Sequence, residues 1–137
     1  MAEAIARRAV ADRGMTAVTV GSAGVAALPG APASEGARRV AAEAGLDLDG
    51  HRSRSLTEEV VAASGLVLCM DGFHLWRAVE LGGGEWCRLL SEMAGGTGDV
   101  EDPFGGPDET YRATFSELAG LVRQVFDRIA AGEGGIR

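Results

Sequence analysis

Lysine is absent from the 137 residues, and all thirteen basic side chains are Arg. A phosphate loop ending in Gly-Lys-Ser/Thr is therefore excluded, as is any Schiff-base chemistry on a Lys amine. Two Cys (Cys69, Cys87) and two His (His51, His74) are too few and too badly spaced for a structural zinc site. Nor do they supply a disulfide framework, which fits a cytoplasmic chain. No apolar run approaches the ~20 residues that span a bilayer, and nothing at the start reads as a leader. Twenty acidic residues against thirteen basic ones leave a formal net charge of −7. That balance argues against general binding to nucleic acid or to an anionic membrane, both of which need a basic surface.

What is there suits one globular domain. The chain is 46% hydrophobic, and this length buries a proper core. Helical and strand patterns alternate, the mark of an α/β layered fold with a mostly parallel sheet. Ala2, Ile5, Ala6, Ala9 and Val10 recur at helical spacing and predict a helix from Ala2 to Arg13. Val18 and Val20 alternate with Thr19 and predict a strand over residues 16–21. Ser34 is placed to cap a second helix, and Ser55 and Thr57 with Glu58 and Glu59 open a short third. Leu66 to Met70 is a continuous apolar run that predicts a strand buried on both faces. A helix over residues 73–81 and a strand over 87–90 follow, then a Gly- and Asp-rich loop from Met93 to Gly106. Tyr111, Phe115, Leu118, Val122, Val125 and Ile129 form the apolar stripe of the last helix. Only three strands are visible, fewer than a covered parallel sheet normally has.

Several strings stand together in order: Met1-Ala-Glu-Ala-Ile-Ala-Arg-Arg8, Val20-Gly-Ser-Ala-Gly-Val25, Gly50-His-Arg-Ser-Arg-Ser-Leu56, Leu66-Val-Leu-Cys-Met-Asp71 and Asp102-Pro-Phe-Gly-Gly106, with Tyr111 beyond. In this order and spacing the chain resembles the low-molecular-weight protein tyrosine phosphatase family. The resemblance covers essentially all 137 residues, although no single string is specific. It implies a three-layer α/β fold, a four-stranded parallel sheet with helices on both faces, and a phosphate site at the carboxyl ends of the strands. It also implies a Cys-x5-Arg loop between the first strand and the helix that here begins at Met1. Neither Cys69 nor Cys87 makes that motif, since Leu75 and Met93 stand where Arg is required. The expectation is a single domain over residues 1–137 that is incomplete at its amino end, without the family's first strand and catalytic loop.

That loop's chemistry is plain. A thiolate at a helix N-terminus is stabilised by the dipole, backbone N–H groups cradle the phosphate oxygens, and the Arg clamps two of them. The resemblance makes Asp102 the general acid that protonates the leaving atom and then serves as base toward water. Taken alone, Asp-Pro-Phe-Gly-Gly is also ordinary turn chemistry. Phe104 falls where the family carries an aromatic lining the substrate pocket, and is equally a core or turn aromatic. Gly105 replaces the second aromatic of many tyrosine-specific members, so the pocket is expected to be more open, as in the branch that includes protein arginine phosphatases. Leu28 falls near the loop that supplies the opposite wall. Ser22 corresponds to a Ser that supports the catalytic loop, and is equally a turn residue. Asp71 either faces the site or caps the helix after it. His51, Arg52 and Arg54 either face an anionic substrate or, the favoured reading, are solvated surface; Cys69 and Cys87 read as buried strand residues, and Trp76 and Trp86 as core or half-buried.

The expected activity is hydrolysis of a phosphorylated protein side chain by the full-length protein, through a Cys phospho-enzyme, with no metal and no organic cofactor. The chain as given is expected to be inactive. Either its start codon is assigned downstream of the true one, or the protein is truly shortened. Two alternatives are a non-catalytic binding protein of the same fold and an arsenate reductase. The expected partner is a phosphorylated protein substrate, with no nucleic acid and no membrane. The uncovered edge left by the absent strand predicts self-association.

Overall fold

The chain's structure, a computed structural model, describes all 137 residues. Eight elements follow one another: α1 (Ala2–Asp12), α2 (Glu35–Glu43), α3 (Glu58–Ala63), β1 (Val67–Cys69), α4 (Gly72–Glu80), β2 (Cys87–Leu89), α5 (Leu90–Met93) and α6 (Asp108–Ala130). Local chemistry starts three of the helices. Ser34 accepts a hydrogen bond from the Ala37 N–H, Thr57 from Val60 and Asp71 from His74, each satisfying a donor that the helix itself leaves free. Asp71 is thus the cap of α4. The last helix starts three residues before Tyr111, because Pro107 leads into it and Asp108 and Glu109 favour its positive end.

β1 and β2 pair in parallel, with Val67 opposite Cys87 and Cys69 opposite Leu89. Alternation along the strand sends successive side chains to opposite layers. Leu66, Leu68 and Met70 join a core built from Ile5 of α1, Leu90 and Met93 of α5, and the Leu118–Phe126 stretch of α6. Val67 and Cys69 join the other side, where Val61 of α3 and Ala78 of α4 are fully buried. A third cluster fixes α2 to α6 through Val40, Ala41, Leu48 and Tyr111. Helices therefore cover both faces of a parallel sheet, the expected three-layer arrangement.

Residues 16–21 do not form the predicted strand. A strand is a pairing, and this segment has no neighbour to complete a ladder. The Val20 and Ser22 carbonyls instead accept from the Arg7 and Arg54 guanidinium groups. One isolated bridge, Gly24 to Ser55, is the nearest approach to a third strand. The run from Leu66 to Met70 is also less buried than predicted. Only Cys69 is buried, because β1 is paired along one edge alone. Trp76 is a further correction. It is 58% exposed, stacked on Phe73 at the outer face of α4, since Leu75 and Ala78 take the inward positions. Trp86 is half-buried, under the Arg137 guanidinium 3.7 Å from its ring. No helix is long and apolar enough to cross a membrane.

Two bidentate ion pairs tie α2 to α6. Arg39 grips Asp108 at 2.9 and 3.1 Å, and Arg112 grips Glu43 at 2.7 and 2.9 Å. Hydrogen bonds from these guanidinium groups hold the Asp108 and Glu43 carboxyls below their ordinary values of 3.8 and 4.5. A carboxyl depressed on folding contributes fully above its unfolded value and loses that contribution as pH falls through its folded one. The thermal midpoint should therefore fall more steeply below pH 4.5 for the natural chain than for the Arg39→Gln/Arg112→Gln variant. Melts monitored by circular dichroism across the acid range check this.

Candidate active site

The long loop after α5 is tied back onto the sheet before it reaches Asp102. The Val100 N–H donates to the Met70 carbonyl at 2.7 Å, immediately beyond the carboxyl end of β1. Asp99 accepts from the Gly72 N–H at 3.2 Å, and the Ser91 hydroxyl donates to the Gly98 carbonyl. Val100 is buried in the core beside α5 and α6. Two residues on, Asp102 is exposed.

A tight turn then forms around buried Pro103. The Phe104 N–H donates to the Asp102 carboxylate at 3.0 Å, and the Gly106 N–H donates to the Pro103 carbonyl at 2.9 Å. Gly105 takes φ +83°, a left-handed conformation that a second aromatic at this position would find strained. The turn presents Asp102 and Phe104 on either side of its proline, with Phe104 77% exposed. Leu28 is 79% exposed on a separate loop, held by Ser53, whose hydroxyl donates to the Leu28 carbonyl and whose N–H donates to Ala31.

Ser22 belongs to a different cluster. Its hydroxyl donates to Glu3 at 2.8 Å, and the same carboxylate receives Arg7 at 2.8 Å and His51 Nδ1 at 3.1 Å. Glu3 is mostly shielded, its side chain 13% exposed. The first turn of α1 thereby fastens both the 20–22 segment and the 50–54 segment. No hydrogen bond or ion pair joins Asp102 to Ser22, Leu28 or α1. Glu3 and Arg7 were not singled out from the sequence, although their i, i+4 spacing is a pairing signal. His51, read there as surface, is half-buried and part of this cluster.

Neither cysteine is a nucleophile in this setting. Burial pushes the Cys69 thiol up to about 11, with smaller contributions in the same direction from Cys87 and Asp71. Burial also raises Cys87. Reactive thiols sit where positive charge lowers them, so both residues are packing residues.

A parallel sheet between helical layers, with an exposed carboxylate and aromatic just past the end of one strand, is an α/β architecture, a class that generally binds its ligands at the strand ends. The family model described as low molecular weight phosphotyrosine protein phosphatase matches residues 1–133, and the chain belongs to that family. It is 35% identical over 121 residues to a protein-arginine-phosphatase of Geobacillus stearothermophilus, covering 86% of this chain and 81% of that one. A protein-arginine-phosphatase of Bacillus subtilis (strain 168) is 37% identical over 128 residues, covering 91% and 84%. Among solved structures, a mutant of the YwlE arginine phosphatase with a phosphorylated active site serine superposes with a TM-score of 0.86 at 36% identity, over 94% of this chain and 86% of that one. A low molecular weight protein tyrosine phosphatase from T. tengcongensis gives 0.82 at 35% identity, over 93% and 88%.

Removing the Glu3 carboxylate leaves Ser22 without its acceptor and takes away the acidic group beside Arg7 and His51. Glu3→Ala should cost about 1–3 kcal/mol in urea unfolding, and Glu3→Gln less, because an amide oxygen still accepts from Ser22. Equal loss in both variants would mean that the carboxylate's charge, rather than packing or the Ser22 hydrogen bond, holds the cluster.

Proposed function

We propose that this chain carries the acid–base half of a phosphoprotein phosphatase site. Asp102 donates a proton to the atom leaving phosphorus and afterwards accepts one from the attacking water. Phe104 and Leu28 flank the phosphorylated side chain, and Ser22 with Glu3 steadies the backbone behind the phosphate. The observation that carries this is the anchoring of Val100 at the end of β1, which leaves an exposed Asp102 two residues beyond a fixed point.

The other half is a Cys-x5-Arg segment, a motif that none of these 137 residues supplies. Such a segment brings the thiolate that takes the phosphoryl group and the guanidinium that holds its oxygens. In the first step the sulfur–phosphorus bond forms as the bond to the substrate oxygen or nitrogen breaks, with the Asp102 proton going to the leaving atom. In the second, water cleaves the sulfur–phosphorus bond and Asp102 takes its proton, releasing phosphate and the thiolate.

Phosphoarginine is the favoured substrate class. One aromatic followed by glycine gives weak stacking for a phenyl ring, and the curated relatives at 35% and 37% identity are arginine phosphatases.

The chain alone should show no turnover of aryl phosphate or phosphoarginine peptide. A version extended at its amino end by an apolar strand and a Cys-x5-Arg loop should be active, and Asp102→Asn should then lower kcat by about 10²–10⁴-fold. Clear turnover by residues 1–137, or an extended enzyme indifferent to Asp102→Asn, overturns the proposal. The free edge of β1 is also proposed to drive self-association, read as concentration-dependent sedimentation. A sharply melting monomer at all concentrations contradicts it.

A further inference from the structure

The outer face of α4 carries two aromatic rings that the core does not use. Phe73 is 60% exposed and Trp76 58%, and the rings stack with centroids 5.8 Å apart and planes 30° from parallel. Val79, one turn further on, is also exposed, while Leu75 and Ala78 take the inward positions. Single apolar residues on a surface are ordinary, whereas a contiguous group marks a contact surface.

Its place in the fold is specific. Gly72, the residue before Phe73, donates its N–H to the Asp99 carboxylate at 3.2 Å, and the Val100 N–H donates to the Met70 carbonyl at 2.7 Å. The first turn of α4 is thereby joined to the base of the loop that bears Asp102 and exposed Phe104. Aromatic surface starts at the rim of the candidate site and continues along α4.

Charge around the rings is of one sign. Residues 71–80 and 98–104 hold five acidic side chains and one Arg. Arg77 is taken up by Glu80 at 3.2 Å, and His74 lies 3.4 Å from Asp71. Asp99, Glu101 and Asp102 are exposed and enter no ion pair; Asp99 and Asp102 each accept one backbone N–H. A cation placed here gains at once from the face of a Trp ring and from the carboxylates beside it. A second copy of the chain fits less well. A twofold contact repeats one surface on both sides, and the acidic loop would then face its own like.

We propose that Phe73 and Trp76, with Asp99 and Glu101, form a docking surface for a basic segment of polypeptide, an Arg side chain of which lies on the Trp76 ring. The planar guanidinium suits stacking on an aromatic face better than an ammonium does. Packing on Phe73 holds the Trp76 ring before the ligand arrives, so less freedom is lost on binding. The proposal rests on the hydrolase reading only for the identity of the segment, which is the stretch of substrate flanking the phosphorylated residue.

The test is a titration of the ¹⁵N-labelled chain with a short unphosphorylated Gly/Ser peptide carrying several Arg, up to about 5 mM, beside the same peptide with Glu for Arg at matched ionic strength. The Trp76 indole N–H and the backbone N–H signals of residues 72–76 and 99–104 should shift saturably with the Arg peptide alone. The Trp86 indole, beneath Arg137, should stay in place. Affinity should fall about fivefold or more in Trp76→Ala. It should fall to a similar extent in Asp99→Asn/Glu101→Gln, in which the Gly72 N–H keeps an acceptor. No turnover is read, so failure here leaves the role of Asp102 untouched, and an extended enzyme indifferent to Asp102→Asn leaves the measured binding untouched. Absence of saturable shifts, equal shifts with the Glu peptide, undiminished affinity in Trp76→Ala, or a Trp76 signal that moves with protein concentration alone overturns the proposal.

Discussion

The alternation of side chains along Val67–Cys69 sets where everything else stands. One face of β1 belongs to the core shared by α1, α5 and α6, and the other to the core under α3 and α4. A slip of one residue in its pairing with β2 would exchange the two faces and put each apolar set against the wrong layer. The same strand ends at Met70, whose carbonyl fixes Val100 and hence the loop bearing Asp102. Layering and site therefore share one anchor.

Two kinds of clamp hold the remaining parts. Long apolar contact along α6 gathers α1, α2 and α5, with Leu118, Val122 and Val125 turned inward at helical spacing. Polar clamps act where there is little to bury. Glu3 collects three partners from distant parts of the chain, and Arg7 and Arg54 satisfy carbonyls that a neighbouring strand would otherwise take. The 20–22 region is consequently fixed by side chains rather than by a ladder. That explains how it stays ordered without becoming a strand.

Features decided within a few residues were legible in the sequence. The Ser34, Thr57 and Asp71 caps, the glycine-rich breaks and the stripe of α6 depend only on near neighbours, and the helices form close to where those signals put them. Pairing is different. Val18 and Val20 suit a strand, yet strand formation needs a partner that local pattern does not reveal. Trp76 failed for a related reason, since apolar character does not say which side of α4 is covered. The Asp102–Phe104 turn was legible from Asp-Pro-Phe-Gly-Gly, while the Glu3 cluster was not, because its members lie up to 48 positions apart. Whole-chain resemblance, rather than any single motif, identified the family, and the match over residues 1–133 agrees.

Anchoring arginines on carbonyls has an effect on how the molecule meets acid. Neither an amide oxygen nor a guanidinium changes protonation over the range in which proteins stay folded, so the attachments of Arg52 and Arg54 persist when the medium is acidified. The ion pairs of the α2–α6 seam rest on the Glu43 and Asp108 carboxylates and weaken under the same treatment. Acid stress thus acts on the ion pairs of the outer helix pair while leaving these attachments to the Asp49, His51 and Ser22 carbonyls in place.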